Sequence, residues 1–281
     1  MKTVALVIQV EEDLQEYLIA ELTDLDFEGF EQEEHVLRAF VPAARWNEVA
    51  REQIEQWLVA HGIDAPVREE VIEPQNWNRQ WEETIRPIAV GRFLVKPTWA
   101  ERPPGLGDRI LLEIDPKMSF GTGYHESTRL VLRFLPDVVQ AGDRVMDAGT
   151  GTGILAIAAV KLGAAAAIAF DIDEWAQENA VENVYLNEAA GRVTFREGSL
   201  DVVPETGFDV IIANIHLSVL VEMLPAFAEK ARPGGRLVMA GLLRTDRERI
   251  TEAAAASGFA LVGEDVENEW WAGVWERGRK P

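Results

Sequence analysis

Cysteine is absent from this chain of 281 residues, and long apolar runs are absent as well. Without cysteine there are no disulfides, thiolate metal ligands or cysteine nucleophiles, and the composition suits a reducing compartment. No stretch approaches the roughly 18 apolar residues of a membrane span, and the first residues lead straight into a strand pattern without the apolar core of an export signal. We therefore expect a cytoplasmic protein that makes no membrane contact.

Positive charge is also scarce, because 27 basic residues face 48 acidic ones and the formal net charge is −21. An acidic surface repels a phosphate backbone, so a direct nucleic-acid partner is not expected. Two compatible interpretations stay open. The acidity attracts a basic protein partner, or it adapts the surface to high salt, where screening makes dense negative charge tolerable.

The first 70 residues alternate between strand and helix patterns. Leu14, Leu18, Leu22 and Leu25 lie on one face of a helix and indicate its buried side. The predicted elements are strands over 3–10, 27–34, 36–41 and 66–72 and helices over 11–25 and 44–61. This β-α-β-β-α-β order predicts a small ferredoxin-like α+β domain over residues 1–75.

A connecting region follows. The pattern indicates a helix over 73–85 and a hairpin-like segment over 87–97, before a turn rich in proline and glycine, Arg102–Asp108. We expect a linker segment over 76–114 and a hinge near residues 100–108.

The rest of the chain, residues 115–281, alternates regularly between strands and helices. Strands are predicted over 144–148, 166–171, 193–197, 208–214, 236–241, 259–266 and 270–276, and helices over 129–135, 154–162, 174–187, 219–231 and 245–257. Such alternation predicts an α/β fold with a doubly wound, mostly parallel seven-stranded sheet. No helix separates the last two strands, which should form an antiparallel hairpin at the sheet edge.

A glycine-rich turn follows the strand at 144–148, with the pattern Asp147-x-Gly149-x-Gly151-x-Gly153. Glycines let the backbone approach a ligand closely, and the amides of the following helix face that ligand. The next strand ends in Asp171 and Ile172, where a carboxylate can accept both hydroxyls of a ribose. The combination predicts a nucleoside site, although such turns also need glycine for structural reasons alone.

The spacing distinguishes two nucleoside cofactors. Dinucleotide dehydrogenases use G-x-G-x-x-G, and Ile154 breaks that pattern here. An acidic Asp147 at the end of the strand suits the amino group of a methionine better than a pyrophosphate. S-adenosylmethionine is therefore the favoured cofactor, and a dinucleotide oxidoreductase is the rival.

Two further motifs flank this turn. Residues 115–128, from Asp115 to Thr128, contain two glycines and several hydroxyls and predict a lid or cofactor wall, although Ser127 or Thr128 could simply cap the next helix. The strand at 208–214 ends in Asn214, whose side-chain carbonyl can accept a hydrogen bond from a substrate amine or can serve a turn. His216 is a candidate base or a structural residue.

These three motifs, in this order, resemble the ribosomal protein L11 methyltransferase family (PrmA type) over most of the chain. The resemblance implies transfer of methyl groups from S-adenosylmethionine to lysine side chains and an α-amino group of L11, which the N-terminal domain would recognise. Tyr124 and the Glu126-Ser127 pair depart mildly from the family pattern. Asn214 is the expected catalytic residue. The expected cofactor-binding residues are Phe120, Gly121, Thr122, Thr128, Gly149, Gly151, Gly153, Asp171, Ile172 and Asn214.

Methyl transfer from a sulfonium requires alignment and a neutral amine, so we expect no metal. Deprotonating an ordinary lysine at pH 7 costs about 4 to 5 kcal/mol, which a desolvated pocket around Phe120 and the Asn214 carbonyl would reduce. A monomer is expected. The alternatives are a methyltransferase for another protein amine or a small molecule, and a catalytically silent ribosome-binding adaptor.

Overall fold

The computed structural model describes residues 3–63, 65–72, 85–105, 107–117 and 121–278. The chain divides into two compact units, Met1–Gln80 and Trp81–Pro281. Within the described ranges, no helix combines the length and the apolar character that crossing a bilayer requires.

The smaller unit is a four-stranded antiparallel sheet with two helices. Its described elements are β1 (Thr3–Gln9), α1 (Glu12–Asp24), β2 (Gly29–Glu33), β3 (Val36–Pro42), α2 (Glu48–Ala60) and β4 (Arg68–Ile72). The strands lie in the order β2-β3-β1-β4, and each neighbouring pair is antiparallel. This topology confirms the ferredoxin-like prediction.

The buried core of the smaller unit is explained by two spacings in its sequence, that of a strand and that of a helix. Leu6 and Ile8 lie two residues apart in β1 and therefore share one face of the sheet. Leu18 and Leu22 lie four residues apart in α1, and Ile54 is on α2. All five side chains are fully buried in one cluster.

The larger unit contains the predicted doubly wound sheet. Its elements are β5 (Ile88–Val90), β6 (Phe93–Lys96), β7 (Ile110–Glu113), α3 (Glu126–Val138), β8 (Arg144–Ala148), α4 (Ile154–Lys161), β9 (Ala166–Asp171), α5 (Glu174–Leu186), β10 (Val193–Glu197), β11 (Phe208–Asn214), α6 (Leu217–Lys230), β12 (Ala231–Leu243), α7 (Arg247–Ala256), β13 (Phe259–Glu267) and β14 (Trp270–Arg277). Seven strands form one sheet in the order β10-β9-β8-β11-β12-β14-β13. The first five are parallel, and β14 runs antiparallel to both of its neighbours, which confirms the predicted edge hairpin.

Hydrophobic clusters cover both faces of this sheet. Val145 belongs to the cluster on the side of α3 and α4, and its neighbour Met146 belongs to the cluster on the side of α6 and α7. Residues 154–160 of α4 are buried all round, as expected for a helix that is apolar on every side.

The segment predicted as a linker contributes strands to this unit. Strands β5, β6 and β7 form a three-stranded sheet, with β5 antiparallel and β7 parallel to β6. Phe93 and Leu112 are fully buried in the core cluster of α3 and α4. The turn Arg102–Asp108, predicted as the hinge, connects β6 to β7 and so lies within the larger unit. The predicted helix over 73–85 falls almost entirely outside the described residues.

Candidate cofactor and methyl-transfer site

The carboxyl ends of the parallel strands meet at one edge of the large sheet, and a cavity of about 390 Å³ opens there. Its volume is within the range of small-molecule sites, and its place at the strand ends is where open α/β sheets bind ligands. The lining comes from strand ends and from the turns and helices next to them: His125, Ser127, Gly149, Gly151, Phe170, Asp171, Ile172, Gly198, Ser199, Asn214, Ile215, His216, Val219, Met223, Gly241 and Trp270.

The glycine turn (residues 149–153) has the backbone geometry that its sequence predicts. Gly149, Gly151 and Gly153 have φ angles of 69°, 54° and 81°, in the left-handed region. A Cβ atom on Gly149 would collide with the Ile215 side chain. Gly149 and Gly151 line the cavity, and Gly153 is the N-cap of α4. The turn therefore presents bare backbone to the crevice.

Asp171 lies at the tip of β9 and lines the cavity, as the ribose hypothesis requires. Its Oδ2 accepts a hydrogen bond from the Gly151 N–H at 2.9 Å, and its Oδ1 accepts one from the Asp173 N–H at 3.1 Å. A carboxylate has about four lone-pair sites, so both oxygens can still accept a hydroxyl. Ile172 also lines the cavity and is 81% exposed.

The structure differs from expectation at Asp147, which is fully buried and does not line the cavity. Its Oδ2 accepts hydrogen bonds from Thr150 Oγ1 at 2.7 Å and from the Ala156 N–H at 3.1 Å. Burial disfavours the charged carboxylate and raises the pKa of Asp147 to about 7, although these hydrogen bonds oppose the rise. Asp147 thus joins the glycine turn to α4 from inside the protein.

The loop before α3 contacts the glycine turn. Thr152 Oγ1 donates a hydrogen bond to the Gly121 carbonyl at 2.5 Å, and a Cβ on Gly121 would lie only 2.9 Å from that hydroxyl. Thr122 Oγ1 accepts from the Tyr124 N–H at 3.2 Å. Gly121 and Thr122 do not line the cavity. Phe120 lies outside the described residues.

Asn214 and Thr128 come together across 86 positions of sequence. Asn214 Nδ2 donates to Thr128 Oγ1 at 3.3 Å, and Thr128 is fully buried at the start of α3. Asn214 Oδ1 is buried and has no hydrogen-bond partner in the part of the chain that the structure describes. An unpaired buried acceptor costs free energy, so this oxygen is available to a bound donor.

His125 and Trp270 are lining residues that the sequence analysis did not predict. His125 is the N-cap of α3, where its Nδ1 accepts from the Ser127 N–H at 3.2 Å and contacts the Ser127 hydroxyl at 2.8 Å. Its ring meets the Trp270 ring edge to face, with centroids 4.4 Å apart. Burial lowers the pKa of His125, so the ring is neutral at pH 7.

Other lining residues come from segments without a recognisable motif. Gly198 and Ser199 follow β10, Val219 and Met223 are on α6, and Gly241 is within β12. Ser199 could have been predicted from its position just after β10, because residues at the carboxyl ends of the parallel strands β8, β9 and β11 were already predicted to form the site. His216, predicted as a base or a structural residue, lines the cavity at the N-cap of α6.

The residues present fit a nucleoside that carries an amino-acid chain. Gly149 and Gly151 present backbone to the cavity, Asp171 offers acceptors for ribose hydroxyls, and Asn214 Oδ1 is a buried oxygen that has no donor within the described residues. The fold and the site together define a Rossmann-like, S-adenosylmethionine-dependent methyltransferase.

Comparison with known proteins narrows this class to a family. The chain belongs to the ribosomal protein L11 methyltransferase (PrmA) family, whose model matches residues 2–277. The ribosomal protein L11 methyltransferase of Chlorobaculum parvum is 36% identical over 97% of this chain and 96% of its own length. That of Symbiobacterium thermophilum is 40% identical over 75% and 69%. These matches confirm the predicted family and enzyme class.

A solved structure agrees with this assignment. The crystal structure of a ribosomal protein L11 methylase from Lactobacillus delbrueckii subsp. bulgaricus matches with a TM-score of 0.65 and 28% identity. The match covers 69% of this chain and all of that one.

Proposed function

We propose that this protein transfers methyl groups from S-adenosylmethionine to lysine side-chain and α-amino groups of ribosomal protein L11. The observation that carries the proposal is the family match over nearly the whole chain, together with a crevice that contains the family's cofactor motif. The smaller unit would recognise the ribosomal protein, and the larger unit would hold the cofactor. The protein would then act in the cytoplasm, as a monomer, without direct contact with nucleic acid.

The predicted residues would hold the cofactor in distinct ways. Gly149 and Gly151 would let the backbone approach its methionine part, and Asp171 would accept hydrogen bonds from both ribose hydroxyls. Ile172 would contact the adenine through its exposed apolar side chain. Gly121, Thr122 and Gly153 would support the site by shaping the loop and the turn around it, and Phe120 stays a prediction. When bound, S-adenosylmethionine supplies an electrophilic methyl group.

Asn214 and Thr128 would align the attacking amine. The hydrogen bond from Asn214 Nδ2 to Thr128 Oγ1 fixes the amide so that Oδ1 is left as the free acceptor. An amine that donates one hydrogen to this oxygen is held in a fixed orientation. Its lone pair can then be aligned with the methyl group of the cofactor. Alignment of this kind provides most of the rate in a displacement at carbon.

The lining around Asn214 would favour a neutral amine. Ile215, Val219, Met223 and the Trp270 ring are apolar surfaces, and burial lowers the pKa of His125, which favours its uncharged form. A lysine brought here loses hydration, which lowers the pKa of its ammonium group. The proton would leave to solvent before the methyl group is transferred.

Intact-protein mass spectrometry tests the proposal. Purified L11 incubated with enzyme and S-adenosylmethionine should gain mass in steps of one methyl group, about 14 Da each. Asn214→Ala should reduce the initial rate about a hundredfold, because it removes the acceptor that aligns the amine. No mass increase on L11 with the wild-type enzyme would overturn the proposed substrate. Formation of S-adenosylhomocysteine with another amine would then indicate a different methyltransferase.

A further inference from the structure

Helix α5 carries three asparagines four residues apart, and all three are buried. Asn179, Asn183 and the C-cap residue Asn187 are 1%, 0% and 4% exposed. A buried amide group costs free energy unless its donors and its acceptor are paired. The hydrogen-bond partners of these side chains should therefore show why three asparagines are buried here.

Two of the asparagines pair with the backbone of residues 113–116 as a neighbouring strand would. The Glu113 N–H donates to Asn187 Oδ1 at 3.0 Å, and Asn187 Nδ2 donates to the Glu113 carbonyl at 2.6 Å. Asp115 repeats the arrangement with Asn183, at 2.9 Å and 3.3 Å. Each side chain thus satisfies both polar groups of one residue.

The match between helix and strand has a geometric reason. Four residues of a helix rise about 6 Å and two residues of a strand rise about 6.6 Å, so the two spacings nearly coincide. Ile114, between the paired residues, donates its N–H to the Lys96 carbonyl of β6 at 2.9 Å. Asn179 Nδ2 continues the series to the Pro116 carbonyl at 2.7 Å. The asparagines therefore pair with the chain at the end of β7 and just beyond it, from Glu113 to Pro116.

Asn183 also reaches the glycine turn. Its Nδ2 donates to the Thr152 carbonyl at 3.0 Å, its shortest contact, while Asn179 Oδ1 at 3.2 Å and the Asp115 carbonyl at 3.3 Å share the other hydrogen. Thr152 Oγ1 in turn donates to the Gly121 carbonyl at 2.5 Å. Among the described residues, the hydrogen bonds of Asn187 go only to Glu113 and to the Asn183 carbonyl of its own helix. Of these two strand-like pairs, only the one made by Asn183 extends to the cofactor site.

We propose that Asn183 is a positioning residue that sets the affinity for the cofactor without touching it. By bonding Asp115 and Thr152 together, it fixes the glycine turn relative to the backbone that precedes α3. The hydrogen bond from the Thr152 hydroxyl to the Gly121 carbonyl extends this constraint to Gly121. The inference rests on the proposed function, because it assumes that the turn binds the methyl donor.

Titration calorimetry with S-adenosylhomocysteine, comparing Asn183→Ala with Asn187→Ala, tests the proposal. Both variants lose a strand-like pair and should lower Tm, Asn183→Ala somewhat more because it also loses the bonds to the Thr152 carbonyl and Asn179 Oδ1. Only Asn183→Ala should weaken binding, by about tenfold, the equivalent of about 1.4 kcal/mol or one hydrogen bond. With saturating S-adenosylmethionine, kcat for Asn183→Ala should stay within about threefold of wild type, whereas KM rises. Equal affinities for the two variants would overturn the proposal.

A second variant covers the case in which Asn183→Ala does not fold. Thr152→Val keeps the carbonyl that Asn183 contacts but removes the hydroxyl bonded to Gly121, at nearly constant volume. It should weaken S-adenosylhomocysteine binding to a similar extent, and unchanged affinity would count against the proposal.

Amide hydrogen exchange on the ligand-free protein separates this inference from the proposed function. Asn183→Ala should accelerate exchange both at residues 113–115 and in the glycine turn, and Asn187→Ala only at residues 113–115. Acceleration confined to residues 113–115 in both variants would overturn the inference. If the wild-type protein bound no S-adenosyl compound, the proposed function would fail while the exchange data still decided whether Asn183 positions the turn.

Discussion

Asp171 has two roles, because it holds the neighbouring backbone and also faces the cavity. A substitution can test the second role. Asp171 accepts hydrogen bonds from the Gly151 and Asp173 amides, and it faces the cavity. Asp171→Ala should weaken S-adenosylmethionine binding about a hundredfold, because two charge-assisted hydrogen bonds of about 1.5 kcal/mol each are lost. Equilibrium binding measured by calorimetry checks this.

The matched control for that prediction is Asp173→Ala, two positions away. Asp173 caps α5 by accepting from the Trp175 N–H at 3.0 Å, and it does not line the cavity. Its loss should cost about 1 kcal/mol of stability and leave cofactor affinity nearly unchanged. If both variants bind the cofactor equally well, Asp171 is not the ribose ligand.

Asp147 should give the protein a characteristic dependence of stability on pH. Its pKa is raised in the folded state to about 7, above its unfolded value near 3.9, so the folded protein holds this proton more tightly. The stabilising contribution is fully present below about pH 4 and is lost as pH rises towards 7. Relative to Asp147→Asn, which does not titrate, wild type should therefore lose on the order of 4 kcal/mol across this window.

Urea unfolding of both proteins at several pH values measures this difference. The variant's Nδ2 amide would take the place of an oxygen that has no partner, which adds a penalty that does not vary with pH. The expected signal is therefore the slope between pH 4 and 7 and not the absolute stability. Parallel curves for wild type and variant would show that the carboxyl is charged in the folded protein throughout.

At the scale of elements, the N-terminus of α3 and the edge hairpin are held together by charge. Arg129 and Arg133 both contact Glu267, and Asn268 Nδ2 donates to Glu126 at 3.0 Å. Burial alone would raise the pKa of Glu267, but the hydrogen bonds from both arginines outweigh it and keep this pKa below its usual value. The cluster fixes the turn that leads into Trp270 at the cavity.

Replacing Glu267 by glutamine should therefore affect both stability and methylation. Glu267→Gln removes the charge that two partly buried arginines share, and we expect a loss of about 1 to 2 kcal/mol. Methylation of L11 should slow as Trp270 loses its fixed position beside His125. Glu264→Gln on the same strand should leave methylation unchanged, because its ionic partner Arg247 is exposed and glutamine keeps an oxygen that can accept from the Trp271 indole N–H. Equal methylation rates for the two variants would contradict this role of the hairpin.

Many regular elements of the larger unit could be predicted from the sequence because turn residues separate apolar strands from helices of recognisable period. Strands β8, β9, β10 and β11 have the predicted bounds. Helix α3 was predicted from Arg129 but begins at Glu126, because a histidine, an unusual cap, precedes it. Strand β7 was not predicted. Its four residues, three apolar and one acidic, are too few to show the alternation that is typical of a strand.

The site could be predicted only in part, for a similar reason. Gly149, Asp171 and Asn214 stand at strand ends, where a pattern along the chain marks the position. Trp270 reaches the cavity from the far edge of the sheet, and Asp147 turns inward to bond a helix amide. Pairings across long sequence separations and the direction of a side chain are tertiary properties, which no local pattern encodes.

At the scale of the whole molecule, the negative charge is concentrated in the smaller unit. Residues 1–80 contain 18 acidic and six basic residues, a net charge of −12 out of −21 in less than a third of the chain. If this unit recognises a basic ribosomal protein, its charge should increase the association rate at low salt. The same charge repels itself within the folded unit and lowers its stability.

Raising the salt concentration should therefore change stability and substrate recognition in opposite directions. Between 0.1 M and 1 M salt the screening length falls from about 10 Å to about 3 Å. We expect Tm to rise by a few degrees as self-repulsion is screened, while kcat/KM for L11 falls and KM for S-adenosylmethionine stays nearly constant. Scanning calorimetry and methylation assays in the same buffers measure both. A kcat/KM for L11 that is insensitive to salt would assign the acidic surface to salt adaptation instead, because attraction over long range cannot survive such screening.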